Sequence, residues 1–115
     1  MDKSWENLPT LDWELAKKLA GNQMDLAEEM VSLFIAELGN EMQTITQSAN
    51  QKKYTVLCQQ VHRLHGAAAF CGVPRFKKIL GVLETQVRKN ELDDLPVLLG
   101  ELNTEAHNLV TAYQR

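Results

Sequence analysis

The chain has 115 residues, of which 44% are hydrophobic, and a formal net charge of −3. This length suits one domain with a single apolar core and leaves no room for a second domain of ordinary size. The acidic balance, without a long basic run, argues against direct nucleic-acid binding. No apolar stretch could cross a bilayer and no signal-peptide pattern is present, so we expect a cytoplasmic domain without membrane contact.

The first half of the chain predicts a flexible leader, a short helix and a long helix. Residues 1–9 are polar and irregular, which is typical of a leader or linker. Asp12 is placed to cap the short helix and Gly21 to end it. From about Met24, apolar residues recur every three or four positions, which predicts one buried face of a long helix. These residues are Leu26, Met30, Phe34, Leu38, Met42, Ile45 and Ala49.

The second half predicts three further amphipathic helices. The third ends before Gly72, the fourth begins near Pro74, and the fifth begins around residues 93–94 with Pro96 in its first turn. Four long amphipathic helices with short connections predict an all-α fold. We expect an up-down antiparallel four-helix bundle over residues 10–115, with the short first helix as an N-terminal cap.

The third predicted helix carries a histidine beside its buried face. His62 follows the core residue Val61 by one position, so it lies about 100° around the helix from that residue. A histidine side chain has a reference pKa of about 6.5 and is mostly neutral at pH 7. One ring nitrogen then has a free lone pair and can attack phosphorus without a separate base. An exposed, oriented histidine could therefore act as a nucleophile.

The side chains that share the face of His62 are mostly small. Gly66 is the most unusual of them, because a glycine inside a helix costs about 1 kcal/mol relative to alanine. It could leave room for another protein to approach the imidazole, or it could allow close packing of helices within the bundle. The spacing alone favours neither explanation.

Basic residues gather around the same region of an acidic protein. The cluster could complement an acidic partner or offset the charge of a phosphate. For any single member, a solvated surface position is at least as good an explanation. The members are Arg63, His65, Arg75, Lys77 and Lys78.

The segment from His62 to Gly72 resembles the histidine phosphotransfer (HPt) family. In that family the phosphorylated histidine is followed by any residue, Leu or Ile, Lys or His, a glycine, and Ala or Ser. A second glycine closes the pattern six positions after the first. The likeness is to the HPt domains at the C-terminus of BarA/GacS-type hybrid sensor kinases. Those domains also have a second histidine where this chain has His65. They follow the closing glycine with Val-Pro-Arg, as in residues 73–75 of this chain.

The resemblance implies a phosphorelay. His62 would accept a phosphoryl group from the aspartyl phosphate of a hybrid-kinase receiver domain and pass it to the aspartate of a response regulator. Gly66 would give clearance, and His65 would stand where the family often has a phosphate-neutralising lysine. Glu84 would hydrogen-bond the histidine ring. The partner-contact residues would be Arg63, Ala69, Arg75, Lys77 and Lys78.

The resemblance also bears on cofactors and location. The Mg²⁺ used in transfer would belong to the partner receiver, so we expect no metal or cofactor in this domain. The domain would work in the cytoplasm, as a free protein or as the cytoplasmic C-terminal part of a membrane-bound hybrid kinase.

Other functions fit the same residues less well. An autonomous kinase would need a Gly-rich nucleotide loop, which is absent from the sequence. A metal site made of Cys58, His62 and His65 lacks a fourth ligand, and a Cys-His hydrolase lacks an oxyanion-hole signature. The remaining alternative is a structural four-helix adaptor without phosphotransfer, in which His62 is an incidental boundary residue.

Overall fold

The computed structural model describes residues 3–114, and positions 1, 2 and 115 lie outside the described residues. Over the described range every regular element is a helix, which confirms the predicted all-α class. The elements are a 3₁₀ helix (Ser4–Asn7), α1 (Trp13–Leu19), α2 (Met24–Asn50), α3 (Tyr54–Ala68), α4 (Pro74–Arg88) and α5 (Leu95–Gln114).

The four long helices surround one core. Helix α2 packs on α3 and α5, and α4 packs on the same two helices, so the contacts form a closed ring. Helix α1 packs on α2, and the 3₁₀ helix packs on α4. Because α3 lies between α2 and α4, side chains from both neighbours can reach its exposed side. The largest fully buried aliphatic side chains come from all four helices: Leu38, Ile45, Leu57, Ile79, Leu80, Leu83, Leu98, Leu102 and Leu109.

The buried face of α2 differs from the predicted one in its first turns. Leu26 is 39% exposed, whereas Ala27 and Val31 are buried. Two neighbouring rows of apolar residues run along this part of the helix, and the packing of α2 against the other helices decides which row is covered. Farther along, Phe34 and Leu38 are buried as predicted, and the helix continues without a break through positions 39–40.

The segment before α1 is packed, although its sequence predicts a flexible leader. Trp5 is 1% exposed, and the backbone carbonyls of Leu8 and Glu6 accept hydrogen bonds from the Arg75 guanidinium at 2.9 and 3.0 Å. Burying one indole removes a large apolar area from water, so the segment belongs to the folded unit. The sequence predicts a flexible leader here because a single tryptophan among polar residues gives no periodic signal, whereas the structure shows residues 3–9 packed on the bundle.

A close contact joins the start of α1 to the loop between α3 and α4. The Asp12 side chain caps α1 as predicted, accepting a hydrogen bond from the Leu15 amide at 3.0 Å. The backbone amide of Asp12 donates to the Gly72 carbonyl at 2.9 Å. Gly72 has a φ of +64°, and a Cβ on it would lie 2.6 Å from the Asp12 carbonyl oxygen. Both the backbone conformation and the contact therefore require glycine at this position.

Both cysteines are free thiols. Helix α3 ends at Ala68, so Cys71 lies in the following loop, where burial raises the pKa of its thiol to about 11. None of the helices in residues 3–114 combines the length and hydropathy needed to cross a membrane.

Candidate functional site

His62 lies on the outer side of α3, with 67% of its side chain exposed. The neighbouring Val61 is fully buried and anchors this turn of the helix in the core. The ring of His62 leans toward α4, where its Nδ1 atom lies 2.8 Å from Oε2 of Glu84. The ring is thus accessible to solvent and held in one orientation by the next helix.

The partner of Nδ1 decides which ring nitrogen of His62 is free. An ionised carboxylate can only accept a hydrogen bond, so Nδ1 carries the proton that is donated to Glu84. In the neutral ring the other nitrogen, Nε2, then has an unprotonated lone pair. Because the side chain is largely exposed, this lone pair can be reached from outside the domain.

Glu84 is the centre of a small polar network. Its Oε2 atom also accepts a hydrogen bond from Nη2 of Arg88 at 2.6 Å, and its Oε1 atom accepts one from Nδ1 of His65 at 3.1 Å. Burial raises the pKa of the Glu84 carboxyl, but the hydrogen bonds from His62 and His65 and the positive charge of Arg88 outweigh that effect. The pKa of Glu84 is therefore lowered, and the carboxyl is ionised at neutral pH.

We expect the Glu84→Gln variant to be less stable than the wild type by about 1–2 kcal/mol near pH 7, because charge-assisted hydrogen bonds are lost. The pKa of this carboxyl is lower in the folded state than its ordinary value of 4.5. Its contribution is therefore present above that pH and is lost as the pH falls through the folded-state value. Urea unfolding near pH 7 and near pH 3 measures the difference in unfolding free energy between the two proteins.

The difference should be smaller at the lower pH. A matched control is Glu41→Gln, which removes a surface carboxylate paired with Arg63 at 3.1 Å and should change stability by less than about 1 kcal/mol. An equal loss for Glu84→Gln at both pH values would contradict an ionised carboxylate as the source of the stabilisation.

Two glycines near the histidines have different surroundings. Gly66 is exposed, and a Cβ built on it would meet nothing within 4 Å. Close helix packing within the described chain therefore does not explain Gly66. At Gly81 on α4, a Cβ would lie 3.5 Å from Nε2 of His65. Gly81 was not among the predicted site residues; it lies against the ring of His65, and an added Cβ would make an ordinary van der Waals contact there.

The predicted basic cluster is divided between different faces of the domain. Lys77 and Lys78 are exposed in the first turn of α4. Together with Ala69 and His65 they line a groove of about 750 Å³, which α1, α3 and α4 form together. Arg63 instead reaches toward α2, where its Nη2 atom pairs with Glu41.

Arg75 lies away from both groups. Its guanidinium donates to backbone carbonyls of the N-terminal segment and lies 3.5 Å from Oε1 of Glu105 on α5. Only 25% of its side chain is exposed. Arg75 therefore holds residues 3–9 against α4, and its contact with a partner stays a prediction. The sequence does not reveal that the N-terminal segment folds back onto α4.

Arg88 is a site residue that the sequence analysis missed. It is the last residue of α4 and lies one turn after Glu84, with 58% of its side chain exposed. Its Nη2 atom is 3.4 Å from Nδ1 of His62 in addition to its ion pair with Glu84. The sequence does contain a signal for this contact, because Arg88 follows Glu84 by four positions and residues four apart on a helix are neighbours.

The positions of the side chains in the described part of the chain do not support a metal site made of Cys58, His62 and His65. Within residues 3–114, no three His, Cys, Asp or Glu side chains are arranged so that they could hold one metal ion. Nδ1 of His62 and Nδ1 of His65 both point to the carboxylate of Glu84 instead.

Comparison with known proteins places this site in a family. The sequence profile described as "Hpt domain" matches residues 29–112, which is more than half of the chain. The chain belongs to the Hpt domain family. The match contains α3 and α4, and therefore both histidines, Glu84 and Arg88 of the candidate site.

This HPt domain is similar to one region of two large sensor kinases. The sensor histidine kinase GacS of Pseudomonas protegens is 31% identical over 105 residues, which cover 86% of this chain and 12% of the relative. The signal transduction histidine-protein kinase BarA of Escherichia coli is 34% identical over 104 residues, which cover 87% of this chain and 11% of the relative. The chain thus spans about a tenth of the length of these relatives.

Solved structures have the same fold. The HPT domain of a sensor hybrid histidine kinase from Shewanella superimposes with a TM-score of 0.84 at 26% identity, covering 91% of both chains. Histidine-containing phosphotransfer protein B from Pseudomonas aeruginosa superimposes with a TM-score of 0.81 at 17% identity, covering 94% of both chains. At the latter identity the likeness concerns the fold alone.

Proposed function

We propose that this HPt domain is a phosphoryl carrier of a two-component phosphorelay. His62 accepts a phosphoryl group from an aspartyl phosphate on the receiver domain of a hybrid kinase and passes it to the aspartate of a response regulator. The observation that carries the proposal is the exposed ring of His62, whose Nδ1 donates to ionised Glu84 and whose Nε2 is left as an accessible lone pair. Membership of the Hpt domain family supports the same role.

The transfer step needs little from this domain beyond orientation. Nε2 of His62 attacks phosphorus in line with the bond to the aspartyl oxygen, which breaks and leaves its electron pair on the receiver carboxylate. No proton has to be removed, because Nε2 carries none in this tautomer. The ring becomes positive as the bond forms, and the Glu84 carboxylate at 2.8 Å from Nδ1 stabilises that charge. The reverse reaction uses the same arrangement.

We place the Mg²⁺ of the reaction on the receiver. Phosphoryl transfer requires neutralisation of the phosphate oxygens, which metal ions commonly supply. In this domain the carboxylate that contacts His62 is that of Glu84, and His62, His65 and Arg88 already donate to it. Binding a metal there would displace these donors.

We propose that α2 to α5 run alternately up and down, and their short connections support this arrangement. The linking segments are residues 51–53, 69–73 and 89–94, whereas a helix of the length of α3 extends roughly 20 Å. Such segments favour helices that run alternately up and down as an antiparallel bundle. We propose that the domain works in the cytoplasm, as a free protein or as part of a hybrid kinase.

A phosphotransfer assay tests the proposed function. The domain is incubated with a panel of phosphorylated receiver domains of hybrid kinases, with an HPt region that is labelled by one of them as a positive control. We expect this domain to gain acid-labile, base-stable phosphate from at least one receiver. A domain that stays unlabelled by every receiver, while the control region is labelled, would contradict the proposal.

Substitutions of Gly66 should separate stability from transfer. Because Gly66 is an exposed helical glycine with free space around it, Gly66→Ala should stabilise the domain by about 1 kcal/mol. A large side chain at the same position, as in Gly66→Gln, should slow transfer on the order of 100-fold, because it keeps the partner from Nε2 of His62. Urea unfolding and the rate of labelling measure the two effects.

Gly100 is the matched control for Gly66. It is also an exposed glycine inside a helix with nothing within 4 Å of an added Cβ, but it lies on α5, which does not pack against α3. Gly100→Gln should leave the rate of labelling unchanged. Normal transfer by the Gly66→Gln variant with an intact fold would show that Gly66 does not provide clearance.

A further inference from the structure

Arg88 lines the cleft that contains His62. The cleft is lined by His62, His65, Gly81, Glu84, Thr85 and Arg88. The guanidinium of Arg88 contacts the same Glu84 oxygen, Oε2, that accepts the hydrogen bond from His62. One carboxylate oxygen is thus shared by the ring of His62 and a permanent positive charge.

A carboxylate beside a nucleophilic histidine has two opposing effects. It orients the neutral ring through the Nδ1 hydrogen bond, but it also favours the imidazolium, in which Nε2 carries a proton and cannot attack phosphorus. A positive charge next to the ring opposes that second protonation. Nη2 of Arg88, at 3.4 Å from Nδ1 of His62, supplies such a charge.

The other charged and titratable groups around the ring are few. On α3 itself, His65 donates to Glu84, and Arg63 pairs with Glu41 of α2 at 3.1 Å, so that pair is neutral as a whole. On α4, the charged residues of the cleft are Glu84 and Arg88. The net charge next to the ring of His62 therefore depends mainly on Arg88, because its positive charge offsets the negative charge of Glu84.

We propose that Arg88 is a positioning residue for phosphotransfer, which holds Glu84 in place for His62 and opposes protonation of Nε2. The proposal rests on the proposed phosphorelay function of His62. Within that function, Glu84 orients the ring of His62. Arg88 opposes the increase in the basicity of this ring that the negative charge of Glu84 would cause.

The test compares rates of phosphoryl acceptance by the wild type, Arg88→Gln and Arg88→Lys from one phosphorylated receiver between about pH 5.5 and pH 8. The pH dependence of the receiver is common to all three and cancels in the ratio of variant to wild-type rate. For Arg88→Gln we expect this ratio to fall roughly three- to tenfold from the upper to the lower pH. The decrease for Arg88→Lys should be less than half as large, because lysine keeps the charge.

The matched control is Lys89→Gln, which removes an exposed positive charge from the next position, outside the cleft. Its ratio should not change with pH. A ratio for Arg88→Gln that is constant with pH would overturn the proposal, as would equal pH dependence of the glutamine and lysine variants. Circular dichroism at each pH shows whether the variants are folded.

A second measurement does not require transfer at all. The ring signals of His62, followed by NMR in the unphosphorylated domain, should titrate at higher pH in Arg88→Gln than in the wild type. An unchanged titration would overturn the role of Arg88 even if the domain is a phosphoryl carrier. If the wild type accepts no phosphoryl group at any pH, the proposed function fails, and the NMR titration still decides the effect of Arg88 on the ring.

Discussion

Replacing His62 with glutamine should abolish phosphoryl labelling and leave the fold intact. Glutamine has no ring nitrogen with a nucleophilic lone pair, so no phosphoryl bond can form at this position. The wild-type side chain is 67% exposed, so the main cost to stability is the loss of its hydrogen bond to Glu84, about 1 kcal/mol, and the variant should remain folded. Labelling by a phosphorylated receiver measures the first effect, and circular dichroism with urea unfolding measures the second.

The small number of histidines makes this experiment decisive. The chain has three histidines, and the same substitution can be made at each of them. His107→Gln, on the exposed face of α5, should label like the wild type. His65→Gln should remain labelled but at a reduced rate, because Glu84 loses one of its donors. Labelling of the His62→Gln variant would show that another residue is the acceptor.

Replacing Gly72 with alanine should destabilise the domain by about 3 kcal/mol, the largest effect on stability that we predict. A side chain at a φ of +64° costs about 1 kcal/mol or more. In addition, the new Cβ would lie 2.6 Å from the Asp12 carbonyl oxygen and 2.7 Å from Cβ of Ala16. Relieving that overlap has to move α1 away from the loop, and overpacking of this kind costs about 1–3 kcal/mol.

Gly21 separates the two contributions. It has a φ of +66°, but a Cβ built on it would meet nothing within 4 Å. Gly21→Ala should therefore show the backbone cost alone, about 1 kcal/mol, in urea unfolding. Equal losses for the two variants would mean that the contact between α1 and the loop after α3 contributes nothing to the requirement for glycine at position 72.

The two glycines of the family pattern thus have different physical reasons. Gly72 faces inward, and its carbonyl accepts the hydrogen bond from Asp12 that attaches α1 to the loop after α3. Gly66 faces outward, with free space around it. Substitution of Gly72 should therefore be detected in stability, and a large side chain at Gly66 should be detected in transfer.

Much of the fold could be predicted from local sequence. The caps of α1, the start of α4 at Pro74 and the buried faces of α3 and α4 follow from patterns within single helices. Such patterns depend on residues three or four positions apart, so they can be read without knowledge of the tertiary structure. The exposed position of His62 beside the buried Val61 follows from the same periodicity.

Only the tertiary structure decided which residues meet across elements. In the folded domain Trp5 is buried, although the sequence of its segment is typical of a leader, and Arg75 donates a hydrogen bond to the backbone of that segment. These contacts join residues far apart in the chain, and no local pattern encodes them.

The same limit applies to the histidine site. The sequence by itself determined that an exposed histidine lies on a helix beside small residues. The tertiary structure brought α4 alongside it, so that Glu84 receives hydrogen bonds from His62, His65 and Arg88 at once. That convergence is set by how α3 and α4 pack, and the packing depends on the whole core rather than on the residues of the site.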